Sequence, residues 1–424
     1  MLARLARVKP FALLEPMLPA AAISTPAQRA IERYLANGRR ELRRRINEFR
    51  RWLGGPAAKD LPPAEAQKRF TMLRLRFNNV LSQFDLFADV ITQRSEHETG
   101  VWLSGLDVVA AEALTVPGYF QPPPVICYLD RGPGAAIRRA HTRLPGGSEN
   151  PVAIVRIPRE RMVGSGVAAS LVHEVGHQAA AILELVESLR PTLQGMQKSG
   201  AVDRVAWRFW ERWISEIVAD FWAVARLGVG ATMGLMSVVS FPQAFVFRIS
   251  TDDPHPPPWI RVLLSCAMGQ ALYPHPQWET IASLWRSYYP VDELRAETRK
   301  LLELVMATLP GFVGVLVNHR PRSLRGKSVA EVLSTHERQP HRLTAHYETW
   351  KGSPSRMRTA PPSFVFAVIG QAKVNGSLSP EAESKMLAYL LTYWALQSTL
   401  SEPVCNSSCK AGTSRSITFA TMSS

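Results

Sequence analysis

His173, Glu174 and His177 are the residues whose types and spacing could most directly do chemistry in this chain. They read His-Glu-x-x-His. On a helix, positions i and i+4 lie one above the other on a single face, so the two imidazoles can grip one Zn²⁺. The Glu after the first His then reaches a water on that metal and can serve as its general base. One short segment thus offers two ligands and a base for metal-assisted hydrolysis. The plainer alternative is a pair of surface or hydrogen-bonded core histidines.

A zinc hydrolase needs a third ligand and one open position. Glu216 and Asp220 are candidates, again spaced i, i+4, in a segment from Ala206 to Leu227 rich in Trp, Ala, Ile, Val and Phe. A ligand Glu with an Asp accepting the second N–H of a ligand His is a common arrangement around zinc. A carboxylate pair at a helix seam, neutralised by Arg204, Arg208 or Arg212, is the alternative. Further on, Asp253-Pro254-His255-Pro256-Pro257-Pro258 forbids helix. His255 is therefore expected in a rigid extended loop, just ahead of a helix from about Trp259 through Ala271. A His delivered that way can donate to a developing oxyanion, although an ordinary connector would look the same.

These residues need elements to hold them. Val167 to Leu189 has no Pro and one Gly, and its apolar residues predict a helix buried on most sides. Two His and a Glu on such a helix need polar partners, which a metal would supply. The polar stretch Arg190 to Arg204 reads as an insert or loop. Asn150 to Ile157 and Pro124 to Asp130 are β-branched runs bounded by turn residues and read as strands. An edge strand beside the metal would take an extended peptide through backbone hydrogen bonds; a plain core sheet would use the same residues.

The three segments in order, HEVGH at 173–177, EIVAD at 216–220 and HPPPWIR at 255–261, resemble the gluzincin zinc metallopeptidases. Within them the pattern HExxH, ExxxD, HPPxxxR resembles the family of CAAX-prenyl endopeptidases and heat-shock membrane peptidases. The resemblance covers roughly residues 100–270. It implies that His173, His177 and Glu216 bind Zn²⁺, that Glu174 is the general base, and that Asp220 orients a ligand His. It also implies that His255 stabilises the transition state or positions substrate and that Arg261 helps fix the His255 loop. The expected function is a zinc-dependent metallopeptidase acting on a protein or peptide. A non-catalytic, zinc-containing scaffold working through a basic N-terminal helix is the alternative, and a zinc hydrolase acting on a non-peptide bond is a third reading.

The chain has 424 residues, 46% of them hydrophobic, enough for a large core and two or three domains. Its net charge is +15, and residues 1–60 hold 13 Lys/Arg against 5 Asp/Glu, so +8 of it sits there. Through residues 27–53, Ile31, Leu35, Leu42, Ile46, Phe49 and Leu53 recur at helical spacing around the run Arg39-Arg40-Glu41-Leu42-Arg43-Arg44-Arg45. This predicts an amphipathic helix with a basic face, suited to an anionic surface or acidic partner, or else simply solvated. No zinc-finger or aromatic RNA-binding motif is present, so no specific nucleic acid is expected. Four cysteines, Cys127, Cys266, Cys405 and Cys409, make no disulfide framework, which fits a reducing compartment.

Pro10, Glu15, Pro16 and Pro19 interrupt the N-terminal apolar residues, so no signal peptide is expected. The longest uncharged stretch, Leu227 to Phe247, has the length of a membrane span. It also holds Pro242, Gln243 and three glycines, and it joins segments that must return to one site, so a buried core segment is expected. The expected location is cytoplasmic, with membrane association left open. The reading divides the chain into a basic helical region (1–95), a zincin-like catalytic domain (96–275), a helical region (276–400) and a disordered Ser/Thr-rich tail (401–424). The fold class expected is mostly α with a small mixed sheet, α+β.

Overall fold

The computed structural model describes residues 1–401 except 8–16, 133, 145–147, 162–163, 200–202, 251 and 354. The tail expected to be disordered, with Cys405 and Cys409, lies outside the described residues beyond 401. Cys127 and Cys266 are free and buried.

Helices α1 (Leu2–Arg7), α2 (Thr25–Leu53), α3 (Pro56–Lys59) and α4 (Pro63–Thr92) build an N-terminal hairpin. Ser24 caps α2 by accepting from the Ala27 N–H, and prolines in the first turn start α2, α3 and α4, where a missing N–H costs nothing. Of the α2 stripe predicted from periodicity, Ile31, Leu35, Leu42 and Ile46 are buried, together with Ala27, whereas Phe49 is half-buried and Leu53 is exposed at the helix end. The Gly54–Pro63 linker contains α3, a single turn. Helix α5 (His97–Leu114) follows. It is tied to the sheet by a buried ion pair: Arg94 Nη1 lies 2.9 Å from Asp107 Oδ2, and Asp107 Oδ1 accepts from the Cys127 N–H at 2.6 Å.

The sheet has strands β1 (Val125–Asp130), β2 (Ala136–Arg138) and β3 (Ala153–Pro158), in the order β1-β3-β2. β1 runs parallel to β3, with Val125 opposite Ala153 and Asp130 opposite Pro158; β2 is antiparallel to β3, with Ala136 opposite Arg156. The class expected from sequence, mostly α with a small mixed sheet, is the class observed. Alternation does the sorting. Ile126 and Ile154 face α2 and α4, while Cys127, Leu129, Val155 and Ile157 face the main core. β2 escapes sequence reading because three residues are too few to show a period.

Seven helices surround the middle of the chain: α6 (Gly166–Ile182), α7 (Leu185–Ser199), α8 (Arg204–Leu227), α9 (Val229–Val239), α10 (Gln243–Val246), α11 (Pro258–Leu272) and α12 (Gln277–Tyr288). Two expectations are corrected. The helix predicted through Leu189 ends at Ile182, because Glu184 turns into the left-handed region at φ 50°. The Arg190–Arg204 stretch is not a loop but largely α7. Leu189 and Leu193 of α7 are buried, and its Gln194 and Gln197 donate outward to Glu211 of α8. Its polarity is that of a solvent-facing side. The uncharged stretch 227–247 is broken at Ser240, with Val229, Ala231, Met236 and Val239 buried and Phe241 and Phe245 exposed.

Close approach of α6 to its neighbours depends on two glycines. A Cβ on Gly176, inside the motif, would lie 3.0 Å from Ala219 Cα and O, and 3.1 Å from Trp222 Cβ. One on Gly234 of α9 would sit 2.2 Å from Ala169 Cβ. Gly176→Val is expected to push α8 off α6, destabilise the fold by about 1–3 kcal/mol and lower metal binding. Urea unfolding beside metal titration measures both, and a variant of wild-type stability would show that the crossing relaxes freely.

The remaining helices are α13 (Ala296–Val317), α14 (Val329–Val332), α15 (Pro340–Trp350), α16 (Ser355–Thr359), α17 (Pro362–Val374) and α18 (Pro380–Ser401). Residues 329–347 divide between α14 and α15, because Ser334 takes φ 50° and Pro340 begins a new first turn. Helix α13 is the one described helix long and apolar enough to cross a membrane. One side of it packs into the core: Leu302, Val305, Leu309 and Phe312 are buried, and Phe312 stacks on Trp210 at 4.4 Å. The main core runs continuously from Leu103 to Trp394.

Candidate metal centre

Helix α6 presents His173 and His177 toward α8, and the two rings stand 4.9 Å apart, nearly perpendicular. The crossing at Gly176 brings up Glu216, one turn ahead of Asp220 on α8. Glu216 Oε2 lies 3.3 Å from His173 Nε2 and 3.3 Å from His177 Nε2. His173, His177 and Glu216 form a group whose donor atoms all lie within 4.8 Å of one another. The Glu216 oxygen is buried and makes no hydrogen bond, so the imidazole nitrogens near it are not aligned as donors to it. Ligand atoms around one metal behave this way: their lone pairs point at a common centre rather than at each other. A tetrahedral set with bonds of about 2.0–2.1 Å has edges of about 3.3 Å, the separation found here between Glu216 Oε2 and each of the two histidines. The group can hold a metal ion, and its two nitrogens and one oxygen suit a borderline cation.

Asp220 and Arg261 stand behind His173. Asp220 Oδ1 lies 2.7 Å from His173 Nδ1, so the ring's second nitrogen donates there and Nε2 is left facing Glu216. Arg261 donates twice to Asp220, from Nε at 2.6 Å and from Nη2 at 2.8 Å. The resemblance assigned Arg261 to the His255 loop; its guanidinium instead grips Asp220, because the first turn of α11 aims it at the buried carboxylate. Arg204, Arg208 and Arg212, the alternative partners for the two carboxylates, form no ion pair with them among the described residues.

The electrostatics follow from this packing. Burial would raise the Asp220 carboxyl, but Arg261 and His173 outweigh it and hold it well below the usual carboxylate range. Burial would depress the His173 imidazolium, and Asp220 reverses this and lifts it to about 9. Glu216 is also held well below its ordinary value: against the cost of burial, the imidazoles of His173, His177 and His255 favour its anion.

Breaking the Arg261–Asp220 pair is expected to be costly, because it leaves a buried carboxylate without its cation. Arg261→Met should lose about 3–5 kcal/mol of stability. The pH dependence has a definite sign. A depressed carboxyl contributes stability that is complete above the unfolded value, about 3.9, and is lost as pH falls through the folded value. Removing Arg261 raises that folded value, so acid unfolding should begin at higher pH. Denaturation curves of the variant between neutral and acid pH check this, and an unchanged acid limb would contradict it.

His255 comes from the proline-rich loop as the sequence predicts. Its Nε2 lies 3.0 Å from Glu216 Oε2, and its Nδ1 lies 2.7 Å from Asp253 Oδ1. Asp253 also accepts the His255 backbone N–H at 2.9 Å. Burial opposes the charged ring, but Glu216 and Asp253 raise its pKa overall. Asp253 was not singled out from sequence. Its signal was available in the Asp-Pro-His spacing, since an Asp two residues ahead of a turn residue closes an Asx-type turn.

His173, Glu174, Asp220, His255 and Arg261 line one cavity of about 210 Å³. It is also lined by Gly134 and Ala135, immediately before edge strand β2, and by Leu235 and Val238 of α9. A second contact missed from sequence holds the start of α6. The carboxylate of Glu383 on α18, 1% exposed, accepts the Ser165 N–H at 2.9 Å and the Ser165 hydroxyl, and pairs with Lys373 Nζ at 2.8 Å. An anion at a helix N-terminus satisfies its orphan N–H groups and dipole. With the partners 218 positions apart in the chain, no local pattern could reveal it.

Compared with known proteins, the chain matches no family model, no curated protein and no solved structure.

Proposed function

We propose that the protein is a zinc-dependent metallopeptidase of the gluzincin type. The observation that carries this reading is the donor group of His173, His177 and Glu216, whose His173 lines one cavity together with Glu174 and His255. The order of the HEVGH, EIVAD and HPPPWIR segments supports it further. Zinc bound there supplies a Lewis acid and an acidified water at neutral pH. The rest of the chemistry belongs to the chain. The Glu174 carboxylate accepts the proton of the attacking water and returns it to the leaving nitrogen. Asp220 fixes the His173 tautomer, and Arg261 keeps Asp220 ionised. His255, steadied at Nδ1 by Asp253, offers its Nε2 to the substrate oxygen where negative charge develops. A peptide laid along the edge at Gly134–Ala135 would be held by main-chain hydrogen bonds, as in strand addition.

The test is metal content by mass spectrometry, combined with digestion of an unfolded protein substrate. About one zinc per chain is expected, with fragments that disappear on chelation and return when zinc is restored. A protein that stays free of zinc after reconstitution, or that holds zinc and cleaves nothing, overturns the proposal.

A further inference from the structure

The N-terminal hairpin divides into two halves with different surroundings. Near the body, Ile23, Ala27, Ile31, Leu35, Phe84, Phe87 and Val90 pack on the sheet against Ile126 and Ile154. Farther out, the cluster of Leu5, Leu42, Ile46, Leu73 and Phe77, with Met1, Leu2 and Phe49 around it, is made by α1, α2 and α4 alone. The outer half is thus an arm with its own small core. α2 has 29 residues, about 44 Å of helix at about 1.5 Å per residue.

The arm is strongly basic. Residues 38–80, which span the outer parts of α2 and α4, hold 12 Lys/Arg against 4 Asp/Glu, so +8 of the chain's net +15 lies there. Arg29, Arg33, Arg40, Arg44 and Arg51 are exposed along the side of α2 opposite its buried stripe. At the tip, Arg50, Arg51, Lys59 and Lys68 are exposed, and so are two apolar side chains: Leu53 is 50% exposed and Leu61 38%. Met72 and Leu75 continue this on the outward side of α4, at 63% and 53% exposure.

We infer that the tip of this arm docks on an anionic phospholipid surface, with Leu53 and Leu61 entering the interface and Arg50, Arg51, Lys59 and Lys68 meeting the phosphates. Basic charge alone would suit any polyanion. The apolar residues decide among them. Those exposed on the arm are aliphatic, which partition into acyl chains but offer no ring for a base to stack on. The aromatic residue nearest the tip, Trp52, is covered by Arg69, whose guanidinium carbon lies 4.2 Å from the ring centroid. Guanidinium groups also match phosphate oxygens two at a time. The site lies on a different element from the metal centre, so the inference stands apart from the proposed peptidase activity.

Co-sedimentation of the full chain with vesicles tests it. Binding is expected to vesicles of phosphatidylserine and phosphatidylcholine, absent with phosphatidylcholine alone, and weakened by salt. Arg50→Glu/Arg51→Glu should lower the partition coefficient by at least about tenfold, and Leu53→Ser/Leu61→Ser by about tenfold. All four residues are exposed, and a thermal melt matching the wild type confirms that each variant is folded. Equal binding to neutral vesicles, no binding to either, or binding indifferent to either pair of substitutions overturns the inference. So does tight binding of a DNA duplex or of polyglutamate by a protein that ignores the vesicles; that would assign the arm to nucleic acid or to an acidic protein.

Discussion

Glu174→Gln is expected to keep the full complement of metal and to lose peptide turnover by about 10²–10⁴-fold. Glu174 lies in the same cavity as His173 but outside the group of three donors, so the amide changes no ligand. It is close to isosteric, so packing around a side chain that is 8% exposed should be conserved. What the amide cannot do is accept the proton of the attacking water. Metal content, a thermal melt and a peptide assay on one preparation separate these effects. Turnover equal to the wild type would remove Glu174 from the mechanism. A protein that cleaves nothing with either residue, yet keeps an unaltered partner interaction, would favour the scaffold reading over the peptidase.

The second large effect is expected at Glu216. Glu216→Ala should reduce metal affinity by more than the roughly 10–100-fold typical of losing an outer partner of a ligand. Asp220→Asn provides that comparison on the same helix, since Asp220 contacts His173 only through Nδ1. The two variants should therefore separate: Glu216→Ala without metal after dialysis, Asp220→Asn retaining it with weaker affinity. Competition against a chromophoric chelator measures both. If Glu216→Ala held metal as tightly as the wild type, His255 would be the third ligand instead, because its Nε2 is 3.0 Å from the oxygen removed. Glu216→Ala should also perturb the fold less than Arg261→Met. It removes a buried carboxylate along with its need for partners, whereas Arg261→Met strands the Asp220 charge.

What the sequence determined by itself is what depends on neighbours along the chain. The i, i+4 spacing of His173 and His177, and of Glu216 and Asp220, fixes which side chains share a helix face. The β-branched runs within 124–130 and 150–157 mark the two longer strands, and the stripe from Ile31 to Ile46 fixes how α2 lies. The three prolines after His255 exclude a helix there. Where local periodicity was ambiguous, the reading failed: solvent-facing polarity made α7 resemble a loop, and a left-handed Glu184 hid inside an apparently continuous helix.

Only the tertiary structure decided which faces meet. The crossing of α6 and α8 rests on the absence of a Cβ at Gly176, a residue the motif leaves free to vary. Arg261 turned to Asp220, 41 residues away, rather than to its own loop. Gly134 and Ala135 became a wall of the site through the pairing of a three-residue strand. Glu383 became the anion at the start of the motif helix. Each of these contacts joins residues far apart in sequence. Their geometry is set by steric fit and by the need of buried polar groups for partners, and neither leaves a period in the chain for a local reading to find.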